Sequence, residues 1–365
     1  MAAAAPVLVH VESIQTAVPA RAAGSGRSLP IAVSGPPLTA AELQRRFLAV
    51  LYYRGAGAGG EPEAAASVKE SLSAALVDHP EMAGRLRRRG DDGRLWEVKL
   101  SDTGVRLVHA SVEATMAAFL EATGTDRERK EAALALWTDV DEREPDICAP
   151  FFVQVTRFQD GGYAVGASCS LLLADPLSLI GFLKSWARKH AELQAQNKLV
   201  ANPVIQYTRY LQSAGAAAKR GKSAQLHTAT AADNTTTTVL FRAAAADDDT
   251  PGHRALAAAC VAKASERLGA KAPPRFTVMA HDGSEVLNVQ TCTADGDQKL
   301  CHGHEHAPRV LQWRDEAGLE DLALYGSKPV HVSYSVSPCA DEGLVVVMPA
   351  GGAELLISAT VPNYM

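Results

Sequence analysis

The chain has 365 residues, of which 47% are hydrophobic and 21% are charged, and its net charge is −5. This composition is typical of a globular protein with two domains or one large one, and it excludes wholesale disorder and collagen-like repeats. The acidic balance and the 5% aromatic content argue against nucleic-acid binding, which needs a basic surface and stacking side chains. The six cysteines occur singly and do not form a disulfide framework.

Targeting and membrane signals are weak in this sequence. No Lys or Arg precedes Arg21, so we expect no secretory signal, which needs a basic start and a longer apolar stretch. The longest apolar stretch, Tyr163 to Leu183, is interrupted by Asp175 and Pro176 and is better explained as a buried strand followed by a helix. We therefore expect a cytoplasmic protein without a membrane span.

Short strands alternate with helices in the first half of the chain, as judged from hydrophobic periods of 2 and 3.6 residues. Strands are predicted at Val7–Val11 and Phe47–Tyr53, a hairpin at Leu95–Leu100 and Val105–His109 around Asp102-Thr103-Gly104, and a second hairpin at Phe151–Phe158 and Tyr163–Leu173 around Gly161-Gly162. Helices are predicted at Ala64–Val77, Met116–Glu121 and Leu177–Gln196.

The second half begins with a change of composition to Ala, Thr, Lys and Asn. The predicted elements are a short helix at Tyr207–Ser213, a helix at Arg254–Leu268, a strand at Phe276–Ala280 and a β meander over Val330–Val336, Leu344–Met348 and Leu355–Val361. The sequence thus predicts an N-terminal domain over residues 1–196, a crossover linker over 197–235 and a reduced C-terminal domain over 236–365.

A glycine-rich loop at Gly55, Gly57 and Gly60 has the spacing of a dinucleotide-binding turn. However, Glu61 and Glu63 follow at once and place two carboxylates where a pyrophosphate would bind. The sequence therefore favours a flexible loop.

A second polar segment contains soft metal ligands at Cys292, Cys301, His302, His304 and His306. Zinc prefers four such ligands in a tetrahedral arrangement. The cysteines lie nine residues apart and no CxxC pair is present, so an exposed His-rich loop is favoured. We predict no metal site.

Two further patterns suggest chemistry and have simpler explanations. The sequence GASCS at 166–170 is similar to a nucleophile elbow, but a strand continues through it, so neither Ser168 nor Cys169 is predicted to be a nucleophile. Five arginines lie within residues 85–94, and the alternatives are a solvated loop balanced by Asp91 and Asp92 or a site for an anionic ligand such as phosphate. The arginines are Arg85, Arg87, Arg88, Arg89 and Arg94.

Three stretches carry a resemblance to a known family. They are LSAALVDHPEMAGRL at 72–86, GGYAVGASCSLLLADPLSLIGFLKSWA at 161–187 and PPRFTVMAHDGSEVLNV at 273–289. They resemble, respectively, the SLSxxLxxxxPxaGRL, GGxALGVGISHxxxDGxSxxxFINSWA and VDGRxRLxPP patterns of the plant BAHD acyltransferases. The resemblance implies an α/β fold of two domains like chloramphenicol acetyltransferase, each a mixed sheet flanked by helices, with the second domain shortened.

The resemblance also implies a reaction. Family enzymes move an acyl group from acyl-CoA, a co-substrate rather than a resident cofactor, to a small-molecule acceptor with a hydroxyl or amine. The histidine of an HxxxD motif removes the acceptor proton, and the aspartate of the motif holds the local structure. In an ungapped alignment Leu171 occupies the general-base position and Asp175 that of the structural aspartate, while Pro176 replaces the next glycine. His190 lies too far along the following helix to replace the base, and His331 is a remote alternative.

A second family element is degraded. LYGSKPV at 324–330 stands where the family has DFGWGKP, and Gly326, Lys328 and Pro329 are what remains. By this resemblance Gly326 and Lys328 are the candidate substrate-binding residues. The segment between Cys292 and Leu311 is shorter than the family pattern, either because the second domain is reduced or because an exon is missing.

Two main interpretations follow from the resemblance. The first is an acyltransferase whose turnover is impaired or absent because the base is Leu171. The second is a non-catalytic accessory or acyl-binding protein that acts through a partner enzyme, as the ECERIFERUM-type factors of this family do, at the periphery of the endoplasmic reticulum. A third alternative is a decayed gene product that folds poorly.

Overall fold

The structure is a computed structural model of the 365-residue chain. It describes residues 9–24, 26–55, 65–90, 94–199, 236–244, 250–281, 285–293, 308–324, 326–337, 342–352 and 354–362. These residues form two β-sheets with helices packed against them.

The first sheet has six strands and mostly antiparallel pairing. In spatial order they are β1 (Val9–Ala17), β6 (Val105–Val112), β7 (Phe151–Arg157), β8 (Tyr163–Ser170), β3 (Arg46–Tyr53) and β13 (His331–Ser337). The β6–β7 pair is parallel. Strand β8 is buried along its whole length, as expected for an apolar strand with neighbours on both edges and packing on both faces.

The second sheet has nine strands and also mixes parallel and antiparallel pairs. In spatial order they are β12 (Arg309–Leu311), β9 (Thr236–Ala244), β15 (Glu354–Pro362), β14 (Gly343–Pro349), β10 (Arg275–His281), β11 (Leu287–Thr293), β2 (Ser28–Ser34), β5 (Leu95–Lys99) and β4 (Arg85–Arg89).

The helices divide between the sheets. They are α1 (Ala65–Asp78), α2 (Met116–Leu120), α3 (Gly124–Ala133), α4 (Pro176–Leu199), α5 (Thr250–Leu268) and α6 (Trp313–Ala317), with short 3₁₀ turns at Glu42–Gln44, Pro80–Ala83 and Leu319–Asp321. Helices α1 and α4 pack on each other, and α5 packs on β15, β14, β10 and β9. One core of buried residues extends from the first sheet through α1 and α4 to the second sheet.

The sheets exchange strands between the two halves of the chain. Strands β2, β4 and β5 come before residue 197 but belong to the second sheet, and β13 comes after residue 235 but belongs to the first. The division at 196 and 235 stays a prediction about folding units. The predicted linker helix at Tyr207–Ser213 lies outside the described residues.

Several predicted elements are confirmed. The hairpin β7–β8 forms around the two glycines at 161 and 162, and α1 and α4 begin and end within three residues of their predicted bounds. Helix α1 starts at Ala65 and ends at Asp78, two residues before Pro80. These elements have local signals of period, turn and stop, which explains why the sequence predicts them.

Two predictions about strand partners and one about a loop are wrong. Strands β5 and β6 do not form a hairpin, since β5 pairs with β2 and β4 while β6 pairs with β1 and β7 in the other sheet. Strand β13 does not continue into a meander with β14, because it pairs with β3. The segment Arg85–Arg89, predicted as a loop, is the edge strand β4.

Other elements have no counterpart in the sequence prediction. Strand β9 begins within the run of threonines and continues through Val239 to Phe241, a β-branched and aromatic composition that favours a strand. Strand β2 and helix α3 were likewise not predicted from the sequence.

Strand β4 is an edge strand that carries several arginines. Charged side chains at a sheet edge discourage pairing with another chain.

A buried hydrogen-bond network joins α1 to α4. The Ser71 hydroxyl donates to the carbonyl of Val68 (2.9 Å) and accepts from the Trp186 indole N–H (2.9 Å). It also lies 3.0 Å from Nδ1 of His190, whose Nε2 is 2.9 Å from the Gln194 amide. Because the Ser71 hydroxyl already donates to Val68, its oxygen is the acceptor for Nδ1–H of His190. His190 is therefore a core residue.

We expect Ser71→Ala to lower the free energy of unfolding by about 1–3 kcal/mol, because it leaves two buried donors without an acceptor. Urea denaturation followed by circular dichroism measures the change. Ser73→Ala, at a half-buried site on the same helix, is the matched control and should change stability by less than about 0.5 kcal/mol. Equal effects of the two substitutions would contradict this role for Ser71.

Candidate functional site

The candidate site is the loop that connects β8 to α4. Its backbone is held from both sides: the N–H of Leu171 donates to the carbonyl of Arg45 (3.0 Å), and those of Leu173 and Ala174 donate to the carbonyl of Ser170 (3.0 and 3.1 Å). Every residue from Leu171 to Asp175 is buried. The loop is therefore a fixed, apolar connection rather than an open rim.

Leu171 lies at the position that the family resemblance assigns to the general base. Its side chain is 2% exposed and belongs to the core shared by the two sheets. A leucine side chain has no lone pair and cannot accept a proton. The loop as it stands can position a backbone and exclude water, but residue 171 supplies no acid–base chemistry.

Asp175 caps helix α4. One carboxylate oxygen accepts from the backbone N–H of Ser178 (2.9 Å), and the other accepts from the Ser178 hydroxyl (2.9 Å). This is the arrangement of an aspartate at the N-cap that satisfies a free N–H of the first helical turn. Pro176 is the first residue of the helix, where its missing N–H and fixed φ fit without strain. The change from glycine to proline after the aspartate is therefore compatible with the loop.

Arg45, which holds the backbone of Leu171, was not predicted from the sequence. Its side chain is 2% exposed, with Nη1 3.3 Å from Glu42 and Nη2 3.7 Å from Glu342, which in turn pairs with Arg275 at 3.4 Å. Glu42 also accepts from Thr39, and the backbone N–H of Glu42 donates to the Thr39 hydroxyl. The T-x-x-E spacing of a capping box was the available sequence signal.

This ion-pair network spans the junction of the sheets at the site. Glu42 and Arg45 precede β3 of the first sheet, while Arg275 begins β10 and Glu342 precedes β14 of the second. Buried charges are tolerated when they are paired in this way. The network ties the start of β3 to the second sheet next to the loop that carries Leu171.

The buried strand residues before the loop are poor nucleophiles, as predicted. Strand β8 runs through Ser168 and Cys169 to Ser170 without the sharp turn of a nucleophile elbow. Burial raises the pKa of the Cys169 thiol far above its ordinary value, so the thiol stays protonated and unreactive at neutral pH.

His331 does not reach the site. It pairs with Tyr52 at one end of β3, whereas Ser170 pairs with Arg46 at the other end. Six residues of strand separate the two ends, which is about 20 Å at 3.3 Å per residue. His331 instead contacts Arg127 and Ser333, and burial and Arg127 lower its pKa. The structure therefore does not bring His331 to position 171, and its role as a remote base stays a prediction.

Gly326 and Lys328 lie in a surface turn, also far from Leu171. Leu324 and Ser327 exchange two backbone hydrogen bonds of 3.0 Å, and Gly326 has a φ of +77°, which glycine adopts without strain. The Lys328 ammonium pairs with the exposed Asp321 carboxylate at 2.7 Å. The structure thus brings Leu171 and Asp175 together but leaves these two residues at a separate surface.

The turn is anchored to the first sheet by two stacked tyrosines. The rings of Tyr53 and Tyr163 lie 4.9 Å apart and almost parallel. Their hydroxyls donate to the carbonyls of Leu322 (3.0 Å) and Leu324 (3.3 Å). Tyr163 begins β8 and Ser170 ends it, so the turn and the site are about 23 Å apart along the strand. The degraded element therefore has a structural position at the far end of β8.

Most of the other candidate residues lie outside the described residues. Gly57, Gly60, Cys301 and the three histidines at 302, 304 and 306 belong to this group. Within the part of the chain that the structure describes, no cluster of three or more His, Cys, Asp or Glu side chains could hold a metal ion. None of the described helices is long and apolar enough to cross a membrane.

The architecture defines an α/β protein of the type of chloramphenicol acetyltransferase, with two mixed sheets and a buried connection between β8 and α4. The family model described as Transferase family matches residues 25–246, more than half of the chain. The protein therefore belongs to this family, the BAHD acyltransferases.

Relatives with curated descriptions match over shorter segments. The chain is 36% identical to rosmarinate synthase from Plectranthus scutellarioides over 124 residues, which cover 34% of this chain and 27% of that protein. It is 33% identical to Protein ECERIFERUM 26-like from Arabidopsis thaliana over 126 residues, covering 34% of this chain and 28% of that protein. The matched segments thus span about a quarter of the length of these relatives.

A solved structure matches over nearly the whole chain. The crystal structure of vinorine synthase has a TM-score of 0.50 and 17% sequence identity, and the match covers 98% of this chain and 95% of that one. At this identity the likeness concerns the fold. It supports the two-sheet arrangement as that of the family.

We expect Leu171→His to raise acyl-transfer turnover by less than about a hundredfold, below the full contribution of a positioned general base. The imidazole would stand in an apolar loop with buried Leu172 and Leu173 beside it, where burial lowers its pKa. Turnover is measured as release of free coenzyme A thiol in the presence of acceptor alcohols and amines. Leu172→His is the matched control, and an increase of a hundredfold or more in Leu171→His alone would contradict the prediction.

We expect Asp175→Ala to lower the free energy of unfolding by about 1 kcal/mol, because α4 loses its cap. Asp175→Asn should keep most of the stability, since asparagine caps equally well. Urea denaturation of both variants checks this. Equal loss in the alanine and asparagine variants would mean that the negative charge of Asp175, rather than its cap, is what the fold requires.

Proposed function

We propose that this protein binds acyl-CoA on the acyltransferase scaffold and has impaired transfer of the acyl group to hydroxyl or amine acceptors. One observation carries the proposal: the loop after β8 keeps its capping aspartate and its fixed backbone, while the side chain at the base position is a buried leucine. The scaffold of the reaction is retained and its proton acceptor is replaced.

We expect acyl transfer to be slow without a positioned general base. A positioned general base typically contributes about 10²–10⁴-fold to a reaction rate, which corresponds to roughly 3–5 kcal/mol of activation free energy. With Leu171 in place of the base, the acceptor must lose its proton to water or to a group of its own. Acceptors with acidic hydroxyls would therefore react before aliphatic alcohols.

The remaining partners follow from the same proposal. Acyl-CoA is a co-substrate, and the protein needs no resident cofactor or metal. A small alcohol, phenol or amine is the second substrate. We place the protein in the cytoplasm, where acyl-CoA is available.

A second candidate function is that of a non-catalytic accessory protein. The match to Protein ECERIFERUM 26-like favours it, together with the surface turn at 324–330 whose Lys328 is engaged by Asp321. Such a protein would bind an acyl group or a partner enzyme and act through that enzyme, at the periphery of the endoplasmic reticulum. Under this function Leu171 would serve as an apolar packing residue, and no base would be needed at position 171.

Calorimetric titration of coenzyme A and a short panel of acyl-CoAs into the full chain tests the main proposal. We expect dissociation constants in the micromolar range, on the order of 1–100 μM, because donor binding does not depend on the base. ATP at the same concentrations is the control for non-specific binding of polyphosphates. Absence of binding to a folded, monodisperse protein would contradict the proposal and favour the accessory function.

A further inference from the structure

Arg85 reaches the segment just before β6, close to Arg106, where the edge of the second sheet approaches the first. Arg85 begins β4, and its Nη1 donates to the carbonyls of Gly84 (2.8 Å) and Gly104 (2.9 Å). Arg106 lies on β6, two residues after Gly104. The Arg106 guanidinium donates to the hydroxyl of Thr16, its register partner on β1.

In the part of the chain that the structure describes, neither guanidinium is neutralised. Among the described residues no carboxylate lies within ion-pair distance of Arg85 or Arg106. By contrast, Arg45 has Glu42 and Arg87 has Glu97 as ion-pair partners. A buried charge without an opposite charge is costly, and a second cation beside it adds repulsion.

Arg85 also has an unused donor. Its side chain is 3% exposed, and Nη2 has no hydrogen-bond partner among the described residues. Burial and the nearby Arg106 lower the pKa of Arg85 to about 10, so the guanidinium is still protonated at neutral pH. Leaving an N–H of a buried charged group without an acceptor costs free energy, so binding of an acceptor there is favoured.

We propose that Arg85, Arg106 and Thr16 form a binding site for a tetrahedral oxyanion, a phosphoryl or sulfuryl group. An oxygen of the anion accepts from Nη2 of Arg85, and others accept from the Arg106 guanidinium and from the Thr16 hydroxyl, whose own proton is free to donate. Arg106 and Thr16 are half-buried, and Arg85 is buried.

The chemistry of the donors favours this class of ligand. Guanidinium groups match the geometry and charge of phosphate oxygens and bind them through charge-assisted hydrogen bonds. The site is also separate from the loop that carries Leu171. Val105 and Leu107, the neighbours of Arg106 on β6, belong to the core that contains Leu171, so Arg106 points to the opposite face of the first sheet.

Calorimetric titration of inorganic phosphate into the full chain, at constant ionic strength set with chloride, tests the proposal. We expect saturable binding with one site and a loss of about tenfold or more in affinity in Arg106→Gln, since a hydrogen bond to a charged group contributes on that order. Arg88→Gln removes the same charge from an exposed position of β4 and should bind phosphate as the wild type does.

A second variant tests the same site in case Arg106→Gln does not fold. Thr16→Val keeps the shape of the side chain and removes the hydroxyl, and it should weaken phosphate binding by a smaller factor. No saturable phosphate binding to the wild type, or equal affinities of Arg106→Gln, Thr16→Val and Arg88→Gln, would overturn the proposal.

The source of the oxyanion is decided by a parallel titration with coenzyme A. If Arg106→Gln weakens coenzyme A and phosphate together, the phosphoryl group belongs to the thioester donor. If coenzyme A binds unchanged while phosphate binding is lost, the site serves free phosphate or another phosphorylated metabolite. Failure of the donor-binding proposal would appear as absent coenzyme A binding with phosphate binding intact, so the two proposals can fail separately.

Discussion

Strand β8 is buried along its whole length, so each of its backbone polar groups must find a partner in a neighbouring strand. Strands β3 and β7 provide these partners on its two edges, over a continuous register from Tyr163 to Ser170. The direction and end of β8 are thereby fixed, and with them the backbone of Leu171, which bonds to Arg45 just before β3. Helix α4 can then begin only where Asp175 caps it. The site is a consequence of how this strand ends.

The exchange of strands between the sheets extends that constraint to the whole molecule. Strand β13 closes the edge of the first sheet beside β3, and β2, β4 and β5 extend the second sheet. Each sheet therefore contains segments from both halves of the chain, and one apolar core lies between them. The ion pairs of Arg45 with Glu42 and Glu342 cross the same junction next to Leu171. Changes at this junction would affect the site and both sheets together.

Buried charge has two different settings in this protein. At Arg45 the charge is balanced by carboxylates, and the group has a structural role. At Arg85 no described carboxylate balances the charge, which is the basis for proposing a ligand there. Position 171 carries no charge, because an apolar leucine lies where the family resemblance assigns a base. The protein thus has the family fold, with a buried leucine at the position that the resemblance assigns to the base.

The sequence by itself determined the elements with local signals and the family. Period, turn and stop signals predicted β8, α4 and the hairpin before them, and the stretch from Gly161 to Ala187 identified the positions of Leu171 and Asp175. It did not determine which strands pair, because a strand of period two fits any neighbour of similar burial. The sheet assignment of β5 and β13, the separation of His331 from Leu171, and the position of Arg85 near Arg106 all depend on contacts between distant segments. Only the tertiary structure decided those, since the free energy of pairing comes from packing that no local window of sequence contains.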